Sequence, residues 1–345
     1  MGIKKATLND IALTASVSVS TLSRYLHRRG YVSRDKQVRI QAAMSKLNYH
    51  PRVKGHKTQS GLSHLVGVII PYALCPHSNA ILSGLEEKLA EFNLIPLVTI
   101  GKWSNETELA RFRVLMKQGV DGVVVIGGSL THLQLVDLAL DLPLVTIGNY
   151  DVESEKITSI NTNNYVGGYL ATNHLLQLGH TKIAHISGIS FHPDAKQRMK
   201  GYQEAIKKAG LPLSSDLIVT GNFEVKSGDR AVERLLDQRI EFSAIFAAND
   251  QMAFGAISAL KRAGIQVPEQ VSVVGFDDHE ISGTYTPPLT TLAQPSQYYG
   301  ALAAEKIAES LGLCSLKERS LWGEECLSVI IRESCMYKDS ICAEP

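Results

Sequence analysis

The feature that constrains the fold most is a repeated alternation between short apolar runs and longer amphipathic segments, which starts at Leu65. The first half contains the runs LVGVII, LIPLVTI, GVVVI and LPLVTI, separated by segments such as SNAILSGLEEKLAEF and NETELARFRVLMKQG. After about residue 162 the pattern repeats with KIAHIS, DLIVT, SAIFAA and VSVVGF. Apolar runs that alternate with helical segments are typical of βαβ units in a parallel sheet. Two sets, each with at least four strands, predict two doubly wound lobes.

Polar side chains follow several of these apolar runs, where a ligand site is expected. Ligands bind doubly wound sheets at the carboxyl ends of the strands, and two lobes that face each other form a cleft there. The candidates are Tyr72, His77, Asn149, Tyr150, Asn249, Asp250, Asp277 and Asp278. Carboxylates, amides and aromatic rings suit a polyhydroxylated or heterocyclic ligand. Each has an alternative interpretation as a cap or turn residue, and Asn249 in particular precedes the helical segment QMAFGAISALKRAG.

The charge of the chain is distributed unevenly, although its formal net charge is only +1. Residues 1–60 contain twelve Lys and Arg against two acidic residues, a net charge of +10, and the remainder carries a net charge of −9. A basic N-terminal segment on an acidic body indicates a polyanionic partner for that segment. A disordered basic tail is the alternative, but residues 6–50 also show apolar periodicity, which favours a folded unit.

The basic segment has the spacing of a helix-turn-helix unit. In TLNDIALTA, Thr7 or Asn9 suits a helix N-cap, and apolar residues recur at helical spacing. The following ASVSVS alternates like a half-buried strand, but a strand would place Leu22 and Tyr25 on opposite faces. Ser18 is better explained as the N-cap of a second helix, about three residues after the first. A third helix is predicted from Ser33.

The second helix is the one predicted to contact DNA. In a helix-turn-helix unit this helix enters the major groove with its N-terminus first. Val19 and Ser20 then lie at its exposed start, and Arg24 lies one turn later on the same face as Ser20. Arginine can donate two hydrogen bonds to guanine, and serine and valine can contact base edges or a thymine methyl group. The alternative is that Ser20 and Arg24 are ordinary solvated residues.

The head as a whole resembles the DNA-binding head of the LacI/GalR family of bacterial transcription regulators. The resemblance is carried by TLNDIALTASVSVSTLSRYL and VSRDKQVRIQAAMSKLNYHP, and it is collinear over roughly residues 6–51. It implies that Val19, Ser20 and Arg24 contact bases. The full set of expected DNA-binding residues is Thr7, Ser18, Val19, Ser20, Thr21, Arg24, Tyr49, Lys54 and Lys57.

The segment RVKGHKTQSGLSH, residues 52–64, departs from the family pattern. The family places a short hinge helix here, with a leucine that wedges into the minor groove and kinks the operator. On ungapped counting Thr58 holds the wedge position, and Gly55 stands where a helix former is usual. Glycine costs about 1 kcal/mol inside a helix. Lys54 and Lys57 still suit phosphate contacts, but whether the hinge forms a helix stays open.

The body resembles the periplasmic-binding-protein-like effector domain of the same family, to about residue 333. The resemblance is carried by HTKIAHISG, AANDQMAFGA and the stretch from VPEQVSVVGFDD through YTPPLTTLAQP. It implies that Arg198, Phe223, Asn249, Asp277 and Gln294 contact the effector. Tyr72, His77 and Asn149 are added as effector-binding candidates in loops where family members differ. Gly148 stands where several sugar-responding members carry an acidic residue.

The sequence favours no catalytic function. It contains no G-x-S-x-G, G-x-x-x-x-G-K-[ST], H-E-x-x-H or G-x-G-x-x-G motif, so neither an enzyme nor a cofactor is predicted. The five cysteines form no C-x-x-C pair, and neither a metal site nor a disulfide framework is predicted. The N-terminus lacks the apolar segment of a signal peptide, and no apolar run approaches about 18 residues. A cytoplasmic, soluble protein without membrane contact is therefore expected.

The predicted protein is a sequence-specific repressor on a near-palindromic operator, controlled by a small effector, most simply a sugar, sugar acid or other sugar derivative. A homodimer is expected, and a tetramer stays open. The fold class is a small all-α helix-turn-helix head on an α/β periplasmic-binding-protein-like body of two doubly wound parallel-sheet lobes. The boundaries are 1–51 for the head, 52–64 for the hinge, 65–337 for the body and 338–345 for a tail. Lobe 1 is assigned 65–161 and 293–322, and lobe 2 is assigned 162–292 and 323–337.

Some alternatives stay open at this point. A solute-binding protein fits the body alone, but the basic head and the absent signal peptide argue against it. An activator cannot be distinguished from a repressor. An inducer and a corepressor both need only a difference in affinity between two lobe arrangements.

Overall fold

The computed structural model describes residues 7–26, 30–47, 61–73, 75–140, 142–148, 157–315 and 327–338. The chain divides into an N-terminal head and a body.

Three helices form the head, and the turn between the first two replaces the apparent strand. They are α1 (Leu8–Thr14), α2 (Val19–Leu26) and α3 (Arg34–Lys46). Helix α1 ends in a Schellman motif, in which the amides of Ser16 and Val17 donate to the carbonyls of Leu13 and Ala12 at 3.1 and 3.0 Å. Ser16 has a φ of +51°, the left-handed geometry that glycine usually supplies at this position. The alternation in ASVSVS therefore belongs to a turn that leads into α2.

The head has its own apolar core. Ile11, Leu22 and Ile40, one from each helix, are fully buried. Val17, Met44 and Leu47 pack against this core and are half-buried. The predicted third helix and its apolar stripe are present, because Ile40, Met44 and Leu47 all contribute to this cluster.

Lobe 1 of the body is a parallel sheet in the order β2-β1-β3-β4-β5. Its described strands are β1 (Leu65–Ile70), β2 (Ile95–Ile100), β3 (Gly122–Ile126), β4 (Leu144–Ile147) and β5 (Ile157–Ile160). The helices are α4 (Pro76–Glu91), α5 (Asn105–Gln118) and α6 (His132–Leu138). Strands β3 and β4 are buried throughout, as expected for parallel strands covered on both faces. The sequence-based prediction missed β5, because ITSI carries two polar residues and is short.

Lobe 2 repeats the design with the sheet order β7-β6-β8-β9, again all parallel. Its described strands are β6 (Ile183–Ser187), β7 (Ile218–Thr220), β8 (Ala244–Ala247) and β9 (Ser272–Val274). The helices are α7 (Asn164–Gln177), α8 (Pro193–Lys208), α9 (Val225–Asp237) and α10 (Asp250–Arg262). Two doubly wound lobes were predicted from the sequence, and the structure has them.

The chain passes between the lobes more than once. After β10 (Thr291–Ala293) it enters α11 (Ser296–Ser310), which packs on the lobe 1 core through Ala303, Ala304 and Ile307. The antiparallel partner of β10 is β11 (Ser328–Ile330), whose Val329 packs with the lobe 2 core. Residues 316–326, which join α11 to β11, lie outside the described part of the chain. Segments at residues 160–164 and 293–296 are therefore described connections between the lobes.

Helix α8 is held close to α7 by a pair of glycines. A Cβ on Gly168 of α7 would lie 2.2 Å from the carbonyl oxygen of Arg198, and a Cβ on Gly201 of α8 would lie 2.2 Å from the carbonyl oxygen of Tyr165. The two backbones therefore touch where a side chain has no room. This contact fixes the position of Arg198, a predicted effector ligand.

No helix among the described residues has the length and apolar character needed to cross a lipid bilayer.

Candidate functional site

The N-terminus of α2 presents a row of small side chains. Ser18 caps this helix, because its Oγ accepts a hydrogen bond from the amide of Thr21 at 3.2 Å. The same oxygen lies 2.9 Å from the Oγ of Ser20 and 2.8 Å from the Oγ1 of Thr21. Val19 is 46% exposed, which is unusual for an apolar side chain at the start of a helix. An exposed apolar residue beside hydroxyl groups suits contact with base edges.

Arg24 lies one turn beyond Ser20 and is exposed. Its Nε donates to the carbonyl oxygen of Ser20 at 3.4 Å, so its stem follows the same face of α2. Leu22 on the opposite face is fully buried in the head core. Helix α2 therefore has one face packed into the head and one face that carries Val19, Ser20 and Arg24.

Thr7 is the N-cap of α1 and forms a capping box with Asp10. The Thr7 amide donates to Asp10 Oδ2 at 2.7 Å, and the Asp10 amide donates to Thr7 Oγ1 at 3.3 Å. Of the remaining predicted DNA-binding residues, Tyr49, Lys54 and Lys57 lie outside the described residues, as does the effector candidate Asn149.

In the body, Asp277 is the centre of a buried polar cluster at the carboxyl ends of the lobe 2 strands. Its Oδ1 accepts a hydrogen bond from Gln294 Nε2 at 2.6 Å, and its Oδ2 lies 3.2 Å from His279 Nε2. Gln294 Oε1 in turn accepts from Thr162 Oγ1 at 2.7 Å. Thr162 and Gln294 lie on the two segments that connect the lobes, so the cluster ties Asp277 to both.

The backbone that presents Asp277 adopts unusual geometry. Asp277 and Asp278 have φ values of +122° and +58°, which are rare for residues other than glycine. Two contacts hold this turn: Asp278 forms an ion pair with Arg332 at 2.7 Å, and the amide of His279 donates to Asp250 Oδ2 at 2.8 Å. Backbone strain at a buried carboxylate points to a function for that carboxylate.

The surroundings keep Asp277 ionised. Burial acts to raise the pKa of Asp277, but the hydrogen bond with His279 and the charges of His77 and Arg198 outweigh burial, so the pKa falls below its usual value. Burial likewise acts to lower the pKa of His279, and its bond with Asp277 outweighs this and raises the pKa. The neighbouring carboxyl of Asp250 has a raised pKa, because it is buried and close to the negative charge of Asp277.

Arg198 is 4% exposed and fixed on several sides. Its Nε donates to Asn164 Oδ1 at 2.7 Å, and its Nη1 donates to the carbonyl oxygen of Ala248. The same Nη1 lies 3.7 Å from Asp277 Oδ1. The guanidinium carbon lies 3.6 Å from the centre of the Phe276 ring. Arg198 and Asp277 are therefore brought together, as the sequence predicted, in an orientation that is set before any ligand contact.

Asn249 and Phe223 also lie together, but Asn249 has a structural task. Its Oδ1 caps α10 by accepting from the amide of Met252 at 3.0 Å, and its Nδ2 donates to the carbonyl oxygen of Phe223 at 3.0 Å. The cap interpretation considered from the sequence is thus present. Asn249 also holds the loop that carries Phe223, whose ring lies against Gly188, where a Cβ would come within 2.1 Å of it.

The two lobe 1 candidates that lie within the described residues differ. His77 Nδ1 lies 3.1 Å from the Oγ of Ser296. Burial lowers the pKa of His77; the charge of Asp277 acts to raise it, and the charge of Arg198 acts to lower it. His77 therefore lies within electrostatic range of the lobe 2 cluster. Tyr72 is 40% exposed, and the described structure gives no contact that ties it to this cluster.

Two residues near this cluster were not predicted from the sequence. Trp103 lies in the loop after β2, and His192 is the N-cap of α8. Their ring centres are 4.5 Å apart and nearly perpendicular. His192 is 3% exposed, and its Nε2 is buried without a hydrogen-bond partner among the residues that the structure describes. Neither residue follows an apolar run directly, so the rule that found Asp277 and Asn249 did not find them.

Comparison with known protein families matches both parts of the chain. Residues 7–52 match the family described as bacterial regulatory proteins, lacI family. Residues 63–325 match the family described as periplasmic binding proteins and sugar binding domain of the LacI family. The chain belongs to the LacI family. It is thus a member of a family of transcription regulators and not of enzymes, as the sequence led us to expect.

Relatives of this LacI-family chain are named as repressors. The HTH-type transcriptional repressor PurR of Aliivibrio salmonicida (strain LFI1238) is 32% identical over 310 residues, which cover 89% of this chain and 92% of that protein. The ribose operon repressor of Escherichia coli (strain K12) is 32% identical over 324 residues, which cover 92% of this chain and 96% of that protein. Both relatives are matched across head and body together.

Solved structures of the LacI family share the architecture. A complex of the transcriptional regulator CelR with cellobiose matches with a TM-score of 0.68 and 27% identity, over 95% of this chain and 99% of that one. A lac repressor dimer bound to operator and the anti-inducer ONPF matches with a TM-score of 0.69 and 26% identity, over 96% of this chain and 100% of that one. The predicted fold class is therefore confirmed over nearly the whole chain.

Proposed function

We propose that this LacI-family regulator is a homodimeric repressor that binds a near-palindromic operator and responds to a sugar or sugar derivative held between its lobes. The observation that carries the proposal is the combination, in one chain, of a helix-turn-helix head and a two-lobed body with a buried, oriented polar cluster. A ligand-controlled repressor needs both parts, and relatives matched over the same two parts are named as repressors.

The DNA-binding half of the proposal assigns base contacts to Val19, Ser20 and Arg24 on the outer face of α2. These residues are exposed, and Leu22 anchors the helix in the head core. Ser18, Thr21 and Thr7 lie at helix N-termini, where their hydroxyl groups and the adjacent amides suit phosphate contacts. Tyr49, Lys54 and Lys57 are assigned backbone contacts with the operator from the basic segment that follows. Because its proposed partner is operator DNA, we assign the protein to the bacterial cytoplasm.

The effector half assigns hydrogen bonds with ligand hydroxyls to Arg198, Asp277 and Gln294, and a stacking contact to Phe223. An ionised carboxylate accepts hydrogen bonds from hydroxyl groups, and a guanidinium donates to their oxygens. Asn249 supports this site chiefly by holding the Phe223 loop, and His77, Tyr72 and Asn149 are assigned to its lobe 1 side. A sugar is favoured because the polar groups are charged and closely spaced, and because solved and curated relatives are named for cellobiose and for the ribose operon.

A homodimer is proposed because two heads are needed on a two-fold symmetric operator. The edge strand of lobe 1 supports this. Strand β2 has no neighbour on its outer side within the described sheet, and its Ile95 and Val98 are 61% and 39% exposed. An exposed apolar edge strand favours association, and a second copy of the chain is the partner that symmetry provides.

The proposal is tested first by a gel-shift measurement with genomic DNA fragments at two salt concentrations. Specific binding that weakens steeply with salt is expected, because Lys and Arg neutralise phosphates and release counterions. A thermal-shift screen over sugars, sugar acids, polyols and purines then identifies the effector, because a ligand that binds the folded state raises the melting temperature. Absence of DNA binding at low salt would contradict the repressor, and a response to purines alone would contradict the sugar.

A further inference from the structure

The two lobes place an aromatic residue at equivalent positions, and only the lobe 2 residue, Phe223, has been assigned to the effector so far. Phe223 follows the end of β7 by three residues, and Trp103 follows the end of β2 by three residues. Strands β7 and β2 occupy the same edge position in their sheets, next to β6 and β1. Each aromatic residue precedes the next helix, α9 or α5, by two residues.

The loops agree in chemistry and backbone geometry as well as in position. The sequence after β2 is GKW, and the sequence after β7 is GNF. The amide of Gly101 donates to the carbonyl oxygen of Ile70 at the end of β1, at 2.8 Å, and the amide of Gly221 donates to that of Ser187 at the end of β6, at 2.7 Å. Trp103 and Phe223 both have left-handed φ values, +52° and +69°. Bulky residues rarely adopt this geometry, and such outliers cluster at functional sites.

Each ring also lies against the bare backbone of a glycine at the carboxyl end of its sheet. A Cβ on Gly127 would lie 2.9 Å from Trp103 Cη2, just as a Cβ on Gly188 would meet the Phe223 ring. The two rings are 6.4 Å apart with an angle of 33° between their planes. His192 lies edge-on to both, at 4.5 and 5.6 Å. Trp103 and Phe223 thus form one aromatic wall with contributions from both lobes.

This wall lies beside the polar cluster. Helix α8 begins at the aromatic wall with His192 as its cap and carries Arg198 nearly two turns later. Burial lowers the pKa of His192; the charge of Asp194 acts to raise it, and those of Arg198 and His77 act to lower it further. These groups therefore lie within electrostatic range of His192. A ligand between the lobes therefore meets apolar rings on one side and the cluster of Arg198 and Asp277 on another.

We propose that Trp103 is an effector-contacting, specificity-determining residue, the lobe 1 counterpart of Phe223, and that it selects a neutral effector with an apolar ring face. The apolar C–H face of a sugar ring packs on such a wall, and its hydroxyl groups reach the polar cluster. A small anion without a ring gains nothing from the wall. This inference rests on the proposed effector site and deepens it.

The test compares Trp103→Phe, which keeps an aromatic face, with Trp103→Leu, which keeps apolar bulk only. Calorimetric titrations of wild type and both variants use cellobiose, D-ribose and, as a ligand without a ring, inorganic phosphate. At least one of the two sugars is expected to bind the wild type. Trp103→Leu should lower the affinity for that sugar about tenfold, and Trp103→Phe should change this affinity much less. Any affinity for phosphate should be the same in all three proteins.

Direct contact is tested by fluorescence. The chain has two tryptophans, so Trp322→Phe leaves Trp103 as the single indole, and the sugar that binds should change its emission. The inference is overturned if neither sugar binds, if phosphate alone binds, if Trp103→Leu binds the sugar as tightly as wild type, or if the Trp103 emission stays constant at saturation. Gel shifts of the same variants without ligand separate this outcome from failure of the repressor function, because operator binding should not depend on Trp103.

Discussion

At the scale of single residues, Arg24 offers the sharpest test of DNA recognition. It is exposed, and the hydrogen bond described for its side chain goes to the carbonyl oxygen of Ser20, so its removal should leave the head folded. Arg24→Ala should weaken the free energy of specific operator binding by about 1–3 kcal/mol and reduce the sequence preference at one base pair of the operator. Competition gel shifts with operator and random duplexes measure both effects.

Arg24→Lys is the matched control for that experiment. Lysine keeps the positive charge but loses the two-pronged hydrogen bond to guanine. Specific binding should fall nearly as far as in Arg24→Ala, while binding to random DNA should stay close to wild type. An equal loss of specific and non-specific binding in Arg24→Ala would instead make Arg24 a phosphate contact.

Asp277 offers the equivalent test for the effector. Asp277→Asn removes the negative charge that the neighbouring His279 and Arg198 stabilise. It should abolish the effector response in gel shifts while leaving ligand-free DNA binding largely unchanged. Asp237→Asn is the matched control, because it makes the same change at an exposed carboxylate at the C-terminal end of α9, outside the polar cluster. Unaltered ligand affinity in Asp277→Asn would refute its placement in the effector site.

Candidate ligand-binding residues could be predicted from the sequence where they directly follow a strand. Asp277 and Asn249 were found because they come directly after apolar runs. The partners that fix Asp277 do not follow from this rule: Gln294 was expected only through the family resemblance, and Thr162 and His279 were not predicted. Thr162 reaches the cluster only through the folded connections between the lobes. Trp103 was missed although the internal pair GKW and GNF was visible in the sequence, because the two loops become equivalent only when the strand order of both sheets is known.

At the scale of elements, the backbone of Ser16, in the turn between α1 and α2, is strained, and this strain can be tested. Ser16 occupies the left-handed position of the Schellman motif, where a side chain costs about 1 kcal/mol relative to glycine. Ser16→Gly should therefore make the head more stable by up to about 1 kcal/mol. Hydrogen exchange of the amides in α1 and α2, within the full chain, reports this local stability.

Ser23→Gly is the control, because it makes the same chemical change inside α2. Glycine in a helix interior is less favourable than serine by about 0.5 kcal/mol, so exchange in α2 should become faster. Faster exchange in both variants would mean that the backbone of Ser16 is not strained. The sequence predicted the helices on either side of this turn. The left-handed geometry of Ser16 was not predicted, because it depends on how α1 and α2 pack together in the head core.

At the scale of the whole molecule, buried histidines make the stability of the body depend on pH. His185 in β6 is fully buried, is stacked on Tyr202 and Phe246, and has Nδ1 within 2.9 Å of the Phe246 carbonyl oxygen. Burial lowers its pKa to about 4. The folded protein therefore resists a proton that the unfolded chain accepts at its ordinary pKa.

The sign of the effect follows from this difference. The contribution of neutral His185 to the free energy of unfolding is fully present above pH 6.5, the ordinary pKa of histidine. It is lost as the pH falls towards 4. The total loss from His185 is about 3 kcal/mol. Urea unfolding followed by circular dichroism at several pH values should show it, and His185→Phe should flatten the profile between these limits. An unchanged slope in His185→Phe would assign the pH dependence to other buried histidines such as His180.

A ligand-controlled repressor requires coupling between its head and its body, and neither unit shows this coupling by itself. If the effector changes operator affinity by some factor, then operator must change effector affinity by the same factor, because the four states form a closed thermodynamic cycle. A factor of about 5 to 150 is expected. Calorimetric titration of effector with and without operator duplex, set against gel shifts with and without effector, measures both sides of the cycle. Equal factors would establish coupling within the proposed operator-bound dimer. The contrary outcome is an effector that changes operator affinity in gel shifts while operator leaves effector affinity unchanged, both measured at a fixed concentration of the proposed dimer. The two factors can differ only if an equilibrium outside the cycle takes part. Such an effector would act on subunit association instead.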